Sequence, residues 1–293
     1  MTAAVIAIAV ILIVFAGPLL LAAAAPGRIM AWNWKLTVMS ALIYVLAFNL
    51  TFFIQELFLV LPKAFTPGLR PTLFHNNHSW DGSSPLASLF QGTGALATLL
   101  SGCICAILLG RGVGRSVTHR LLLFWMAYSG IFMALPQIVI GALSGQSDIG
   151  MAMAYFDLGA TSKTLAALTA LALIPLAAAW LGSLLIGQLG GPALSASAQG
   201  RQHFVLGSAT VPALLALPLI ALFRIPREWI EVLLVPVVVS FVGVAWIQAG
   251  AWRSSSKTRG GDAVVGSLAW PIVAALGLLL LFQLLLRPGV RFY

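Results

Sequence analysis

The stretch LTVMSALIYVLAFNLTFFIQELFLVL, residues 36–61, carries one charged side chain, Glu56, in 26 positions. A helix needs about 20 mostly apolar residues to cross a bilayer, so this run is long enough to span one. Seven further runs read the same way: Ala3–Ala25, Leu86–Gly110, Arg120–Leu143, Thr164–Leu189, Val205–Phe223, Trp229–Trp252 and Val264–Leu286. They set the expected fold class, an all-α polytopic integral membrane helix bundle of eight transmembrane helices. The whole chain agrees. Its 293 residues are 60% hydrophobic and 8% charged, whereas a soluble chain carries roughly 25% charged residues. The mean hydropathy is +1.02. A soluble domain, a disordered chain and a disulfide-rich secreted module are excluded on this arithmetic. The connections are too short for a further domain. Residues 1–293 therefore read as a single transmembrane domain, with a polar-site half at about 36–160 and an apolar scaffold half at about 161–293.

The first run lacks the basic residues that open a signal peptide and exceeds the usual length of its apolar segment, so it is expected to be a retained helix. Pro18 suggests a kink in it and Pro26 its end. The net charge of +9 is a topology signal rather than a nucleic-acid footprint, because no basic run is long enough to follow a phosphate backbone. Arg28, Lys35, Arg111, Arg115, Arg120, Arg201, Arg253, Lys257 and Arg259 make nine basic residues on one side, against seven on the other: Lys63, Arg70, Lys163, Arg224, Arg227, Arg287 and Arg291. The excess and the uncharged start place both termini outside, in what is expected to be a bacterial inner (plasma) membrane. Trp32, Trp34, Trp229 and Trp252 sit where rings anchor at headgroup level. Cys103 and Cys105 are two apart on a helix, point in different directions and cannot share a metal.

The candidate chemistry lies in QELFLVLPKAFTPGLRPTLFHNNHSWD, Gln55–Asp81. It is too polar to span and too apolar for a plain loop, which suits a re-entrant or interfacial segment. Pro62, Pro67 and Pro71 are expected to stop helix propagation. His75 and His78, three apart, would share a face if the turn were helical and could then bind one divalent metal. Glu56 is an ionisable group near the end of a span, which normally faces protein or water and has a partner. Lys63 lies on the same helix face, at a position expected nearer to solvent. Further on, Gly92, Gly94, Ala97 and Gly102 form a small-residue surface that lets another helix approach. Pro136 frees a backbone carbonyl beside Gln137, and Asp148 follows in a Gly-flanked turn. His119 and His203 stand at the water boundary, which suits haem ligation poorly.

The order of these elements, over about residues 50–160, loosely resembles the core of the site-2 protease-type intramembrane zinc metalloproteases. That family has a His-Glu-x-x-His helix, then a small-residue helix, then a proline-containing helix with an aspartate that completes the zinc site. The resemblance implies zinc as cofactor, with His75, His78 and Asp148 as metal ligands and Glu56 as the catalytic base. The chain departs from the pattern. Its histidines are separated by two residues, and Asn76 stands where the glutamate base would be. An amide cannot take a proton from a metal-bound water. The chain thus looks like a degenerate relative of the family.

Three functions follow as expectations. The first is a non-catalytic accessory or structural subunit of a larger membrane complex with a vestigial metal site, its partners being the lipid bilayer and other membrane-protein subunits, with no nucleic acid. The second is an intramembrane zinc metalloprotease-like hydrolase. The third is a proton-coupled transporter using Glu56.

Overall fold

The computed structural model describes residues 2–23, 32–191, 196–226, 229–254 and 265–293. Pro26, Arg28, Arg227, Glu228, Lys257, Arg259 and Asp262 lie outside the described residues. Eight helices are long and apolar enough to cross a membrane: Ala3–Ala23, Trp34–Ala64, Leu86–Gly110, Val117–Leu143, Ala160–Leu189, Ala198–Arg224, Val232–Arg253 and Ala269–Leu286, called spans one to eight. The chain is a multi-pass α-helical membrane bundle. Spans two, four, five and six run past the apolar stretch that marks them, since a helix continues into the interface wherever its last polar groups find partners.

Span two is the hub and packs against spans three, four, six and eight. Its Tyr44 meets Trp125 and Tyr128 of span four, with ring centroids 4.1 and 5.8 Å away. Phe124, Trp125, Tyr128 and Phe132 recur at helical spacing, so they stack on one face and are fully buried there. The polar tips of Trp125, Tyr44 and Tyr128 find partners, as a low-dielectric interior requires. Trp125 Nε1 donates to Ser40 Oγ at 2.8 Å, and the Tyr44 hydroxyl meets Ser240 Oγ at 2.8 Å. The Tyr128 hydroxyl lies 2.7 Å from the Val239 carbonyl, tying span four to span seven.

Two prolines inside the helices are answered by hydroxyls from neighbours. Pro212 brings no N–H to the carbonyl of Ser208, and Ser40 Oγ donates to that oxygen at 2.6 Å. Pro62 likewise brings no N–H to Phe58, whose carbonyl accepts from Thr93 Oγ1 at 2.6 Å. This corrects the expectation that Pro62 ends the helix. Span two continues to Ala64, because Thr93 of span three supplies the missing donor.

Spans three and four meet through glycine. A Cβ on Gly102 would stand 2.9 Å from the Ile131 amide nitrogen, and one on Gly130 would stand 2.7 Å from Gly102 Cα. Backbone therefore touches backbone at this crossing, as the small-residue surface anticipated.

At one end of the bundle lies a three-stranded sheet, ordered β2-β1-β3, from Leu69–Leu73 (β1), His78–Gly82 (β2) and Val290–Arg291 (β3). In β1 the alternate residues Leu69, Pro71 and Leu73 are buried, the two-residue period of a strand with one face covered. Gly82, at φ +97°, pairs with Leu69 where a side chain would strike the Gly68 carbonyl. The interfacial segment expected here is thus a hairpin, clamped by the C-terminal strand. A short helix, Asp148–Tyr155, follows span four and packs against residues 86–90 at the start of span three.

Candidate functional site

Glu56 points from span two toward the hairpin and is 5% exposed. His78, the first residue of β2, brings its Nδ1 to 2.8 Å from Glu56 Oε2. Its Nε2 lies 3.0 Å from Gln91 Oε1, at the turn that opens span three. The same Gln91 oxygen accepts from Lys63 Nζ at 3.0 Å, and Lys63 Nζ also donates to the Leu59 carbonyl at 2.8 Å. Trp80 covers the group. Its ring stacks on His78 at a centroid distance of 5.8 Å and 14° between planes, and it lies 4.6 Å from Lys63 Nζ. His78 and Trp80 are two apart on one strand, so the pleat puts both side chains on the same face.

Local sequence explains how these groups meet. Glu56 and Lys63, two helical turns apart, share a face of span two. Gly94 lets span three settle against that face, since a Cβ there would stand 2.7 Å from Leu59 Cγ and 2.9 Å from the Gln55 carbonyl. Gln91, one turn earlier, is thereby carried to Lys63. Beside the cluster, Gln137 Nε2 of span four donates to Gln55 Oε1 at 2.8 Å.

Lys63 was expected nearer to solvent, yet it is fully buried. Snorkelling is blocked because the hairpin folds over the end of span two and Trp80 takes the place of water. The expectation of a helical turn carrying His75 and His78 on one face is also corrected. His75 lies inside a tight strand reversal, in which the Phe74 amide donates to the Asn77 carbonyl at 2.8 Å, and His78 opens the strand that follows it. His78 enters the cluster, and His75 is buried in the turn itself. The neighbouring Asn76 donates to the Arg224 carbonyl of span six.

Asp148 is the first residue of its helix and stands in the electrostatic field of Glu56, His78 and Lys63. Burial, and then the Glu56 carboxylate, push its carboxyl up to about 6, while His78 and Lys63 pull the other way. The helix N-terminus at this position also favours a negative group. Met151, one turn on, places its sulfur 4.0 Å from Gln91 Nε2.

The direction of each hydrogen bond can be reasoned from donor chemistry. With its nitrogen turned toward Met151, Gln91 offers only its oxygen to Lys63 and His78, and that oxygen only accepts. His78 Nε2 must then carry a hydrogen. A second proton has to lie between His78 Nδ1 and Glu56 Oε2, because two lone pairs at 2.8 Å would repel. The pair exists as imidazolium and carboxylate, or as imidazole and carboxylic acid. Either way it holds one exchangeable proton, next to the cationic Lys63 and the titratable Asp148.

Both nitrogens of His78 are committed to Glu56 and Gln91. Among the described residues no three or more His, Cys, Asp or Glu side chains group as a metal site. Of the residues singled out in the sequence, Glu56 and His78 are in contact, and Asp148 stands within their electrostatic reach. Lys63, Gln91 and Trp80 complete the group, and the two-turn spacing from Glu56 had placed Lys63 on its helix face. Comparison of the chain with protein-family models, curated proteins and solved structures returns no match.

Proposed function

We propose that this chain is a proton-coupled membrane carrier in which the Glu56–His78 pair holds the coupling proton. The observation that carries the reading is the chain Glu56–His78–Gln91–Lys63, whose acceptor oxygen at Gln91 obliges the pair to be protonated. An acid, a histidine and a lysine buried at the end of a span, with a half-buried second acid nearby, are costly, and such groups mark ion and proton pathways. In this reading Lys63 and Asp148 balance the charge. When the pair releases its proton, the carboxylate turns to Lys63, and Asp148 accepts or returns a proton as the field changes. The polar end would face the outside of a bacterial plasma membrane, with both termini on that side, in keeping with the nine-to-seven distribution of basic residues.

The test needs no substrate. Proteoliposomes of the full chain adsorbed on a solid-supported membrane should give a transient charge displacement after a pH jump. Glu56→Gln and His78→Gln should abolish it. A wild-type record indistinguishable from empty liposomes, or from both variants, would sink the proposal.

A second reading, a non-catalytic subunit of a larger membrane complex, draws on the apolar faces of spans one and eight. Leu19 and Leu20 are 70% and 74% exposed, and Leu284 and Leu285 are 67% and 64% exposed. Such faces suit a partner's helices as well as lipid. Purification from native membranes in mild detergent separates the two, because a chain that always runs alone is no subunit.

A further inference from the structure

Away from the polar cluster, a groove of about 280 Å³ opens between spans one, five and seven, near the lower end of ordinary ligand pockets at about 300 Å³. Its walls are low because small residues face one another, Ala178 and Gly182 on span five and Gly250 and Ala251 on span seven, with Leu21 of span one at the side. Spans one, five and seven are all odd-numbered, so their C-terminal ends lie at the end of the bundle opposite the hairpin. One end of the groove is polar. There Ser183 and Ser254 hydroxyls lie 3.3 Å apart beside Arg253. The guanidinium of Arg253 stands 5.4 Å from the Trp252 ring, an aromatic residue of the type that settles at headgroup level. Arg201 adds a second cation nearby, donating to the Trp252 carbonyl at 2.6 Å. The other end reaches Pro175, eight residues before Ser183 and so about 12 Å deeper along the helix. No Asp or Glu is among the described residues that line the groove.

We infer that this groove is a binding site for an anionic phospholipid. The phosphate sits at Arg253 with the Ser183 and Ser254 hydroxyls, and one acyl chain lies along the small-residue channel toward Pro175. Charge complementarity selects the anionic headgroup, since a cation on a rim with no acid among its described residues attracts negative lipid. The apolar depth selects a lipid over a soluble phosphate, because only a chain gains from leaving water there. The assignment is independent of the proton reading and involves none of its residues.

Native mass spectrometry of the detergent-solubilised full chain, titrated with phosphatidylglycerol and in parallel with phosphatidylcholine, tests it. One phosphatidylglycerol per chain should bind at concentrations where phosphatidylcholine does not. Arg253→Gln should weaken that binding about fivefold, the share of one basic residue near a membrane surface. Gly250→Leu should reduce it to the phosphatidylcholine level. A Cβ at Gly250 finds its nearest neighbour, Leu21 Cδ2, at 3.9 Å, so the added side chain fills the groove without striking the backbone. Arg115→Gln, an exposed arginine at the same end of the bundle but outside the groove, should change nothing. Equal binding of the two lipids, wild-type affinity in both groove variants, or full displacement by inorganic phosphate would each overturn the inference.

Discussion

His78 Nδ1 lies 2.8 Å from Glu56 Oε2, and each side chain is 6% exposed. The two residues are 22 apart in sequence, one on a membrane-spanning helix and the other on a surface hairpin. Their bond fastens the hairpin, an element outside the membrane spans, to the bundle.

Breaking such a buried pair from one side leaves the other partner uncompensated. Glu56→Ala and His78→Ala should each cost about 3 kcal/mol in denaturant unfolding. The double variant should fall short of their sum by about 1–3 kcal/mol. Strict additivity would mean that the two side chains do not interact.

Gln91 is the acceptor for two donors. Gln91→Leu strands His78 Nε2 and leaves Lys63 Nζ only the Leu59 carbonyl, and should destabilise by about 2–3 kcal/mol, whereas Gln91→Glu, which keeps an acceptor in place, should be much milder. If leucine is tolerated as well as glutamate, the placement of protons argued from this amide fails.

Asp148 supplies a pH dependence with a definite sign. The folded chain holds this carboxyl's proton up to about 6, whereas an aspartate normally titrates at 3.8. Between those values the folded state binds more protons than the unfolded one, so stability declines as pH rises and levels off above the folded value. Asp148→Asn, which keeps the neutral shape, should therefore match wild type near pH 3.5 and exceed it by about 1–2 kcal/mol at pH 7, after allowance for partial exposure. Thermal unfolding of both proteins across that range measures it. A variant less stable than wild type at pH 7 would show instead that the charged carboxylate is the favoured form.

The crossing of spans three and four has no room for a side chain. Gly130→Ala pushes a methyl into Thr98 and Gly102 backbone and should cost about 1–3 kcal/mol as the helices separate. Gly145→Ala serves as the control, because nothing lies within 4 Å of its Cβ position. Equal unfolding midpoints for the two variants would mean that the helices cross farther apart than this.

Metal content separates the proton reading from the zinc hydrolase expected by resemblance. The purified chain should retain less than stoichiometric zinc after dialysis. Stoichiometric zinc that disappears in His75→Ala and in His78→Ala would restore the metal-enzyme reading and assign Glu56 the role of base.

What the amino-acid sequence by itself determined is the membrane class, the eight spans and the concentration of unusual polar residues near residues 50–160. These follow from local physics. A run of about 20 apolar residues partitions into lipid whatever its neighbours are, and an acid at the edge of such a run is conspicuous wherever it occurs. The small-residue stripe of span three was legible for the same reason, since a glycine announces close approach before its partner is known.

Only the tertiary structure decided which polar groups meet. The burial of Lys63 depends on Trp80 from a hairpin, and the hairpin depends on strand pairing and on β3 from the far end of the chain. His75 and His78 look equivalent by spacing, yet a strand reversal turns one into a turn residue and the other into the partner of Glu56. Gln91 reaches both donors only because Gly94 lets span three lie against Leu59. Helix lengths are dictated residue by residue in lipid. The cluster is dictated by contacts between segments distant in sequence, which no local pattern encodes.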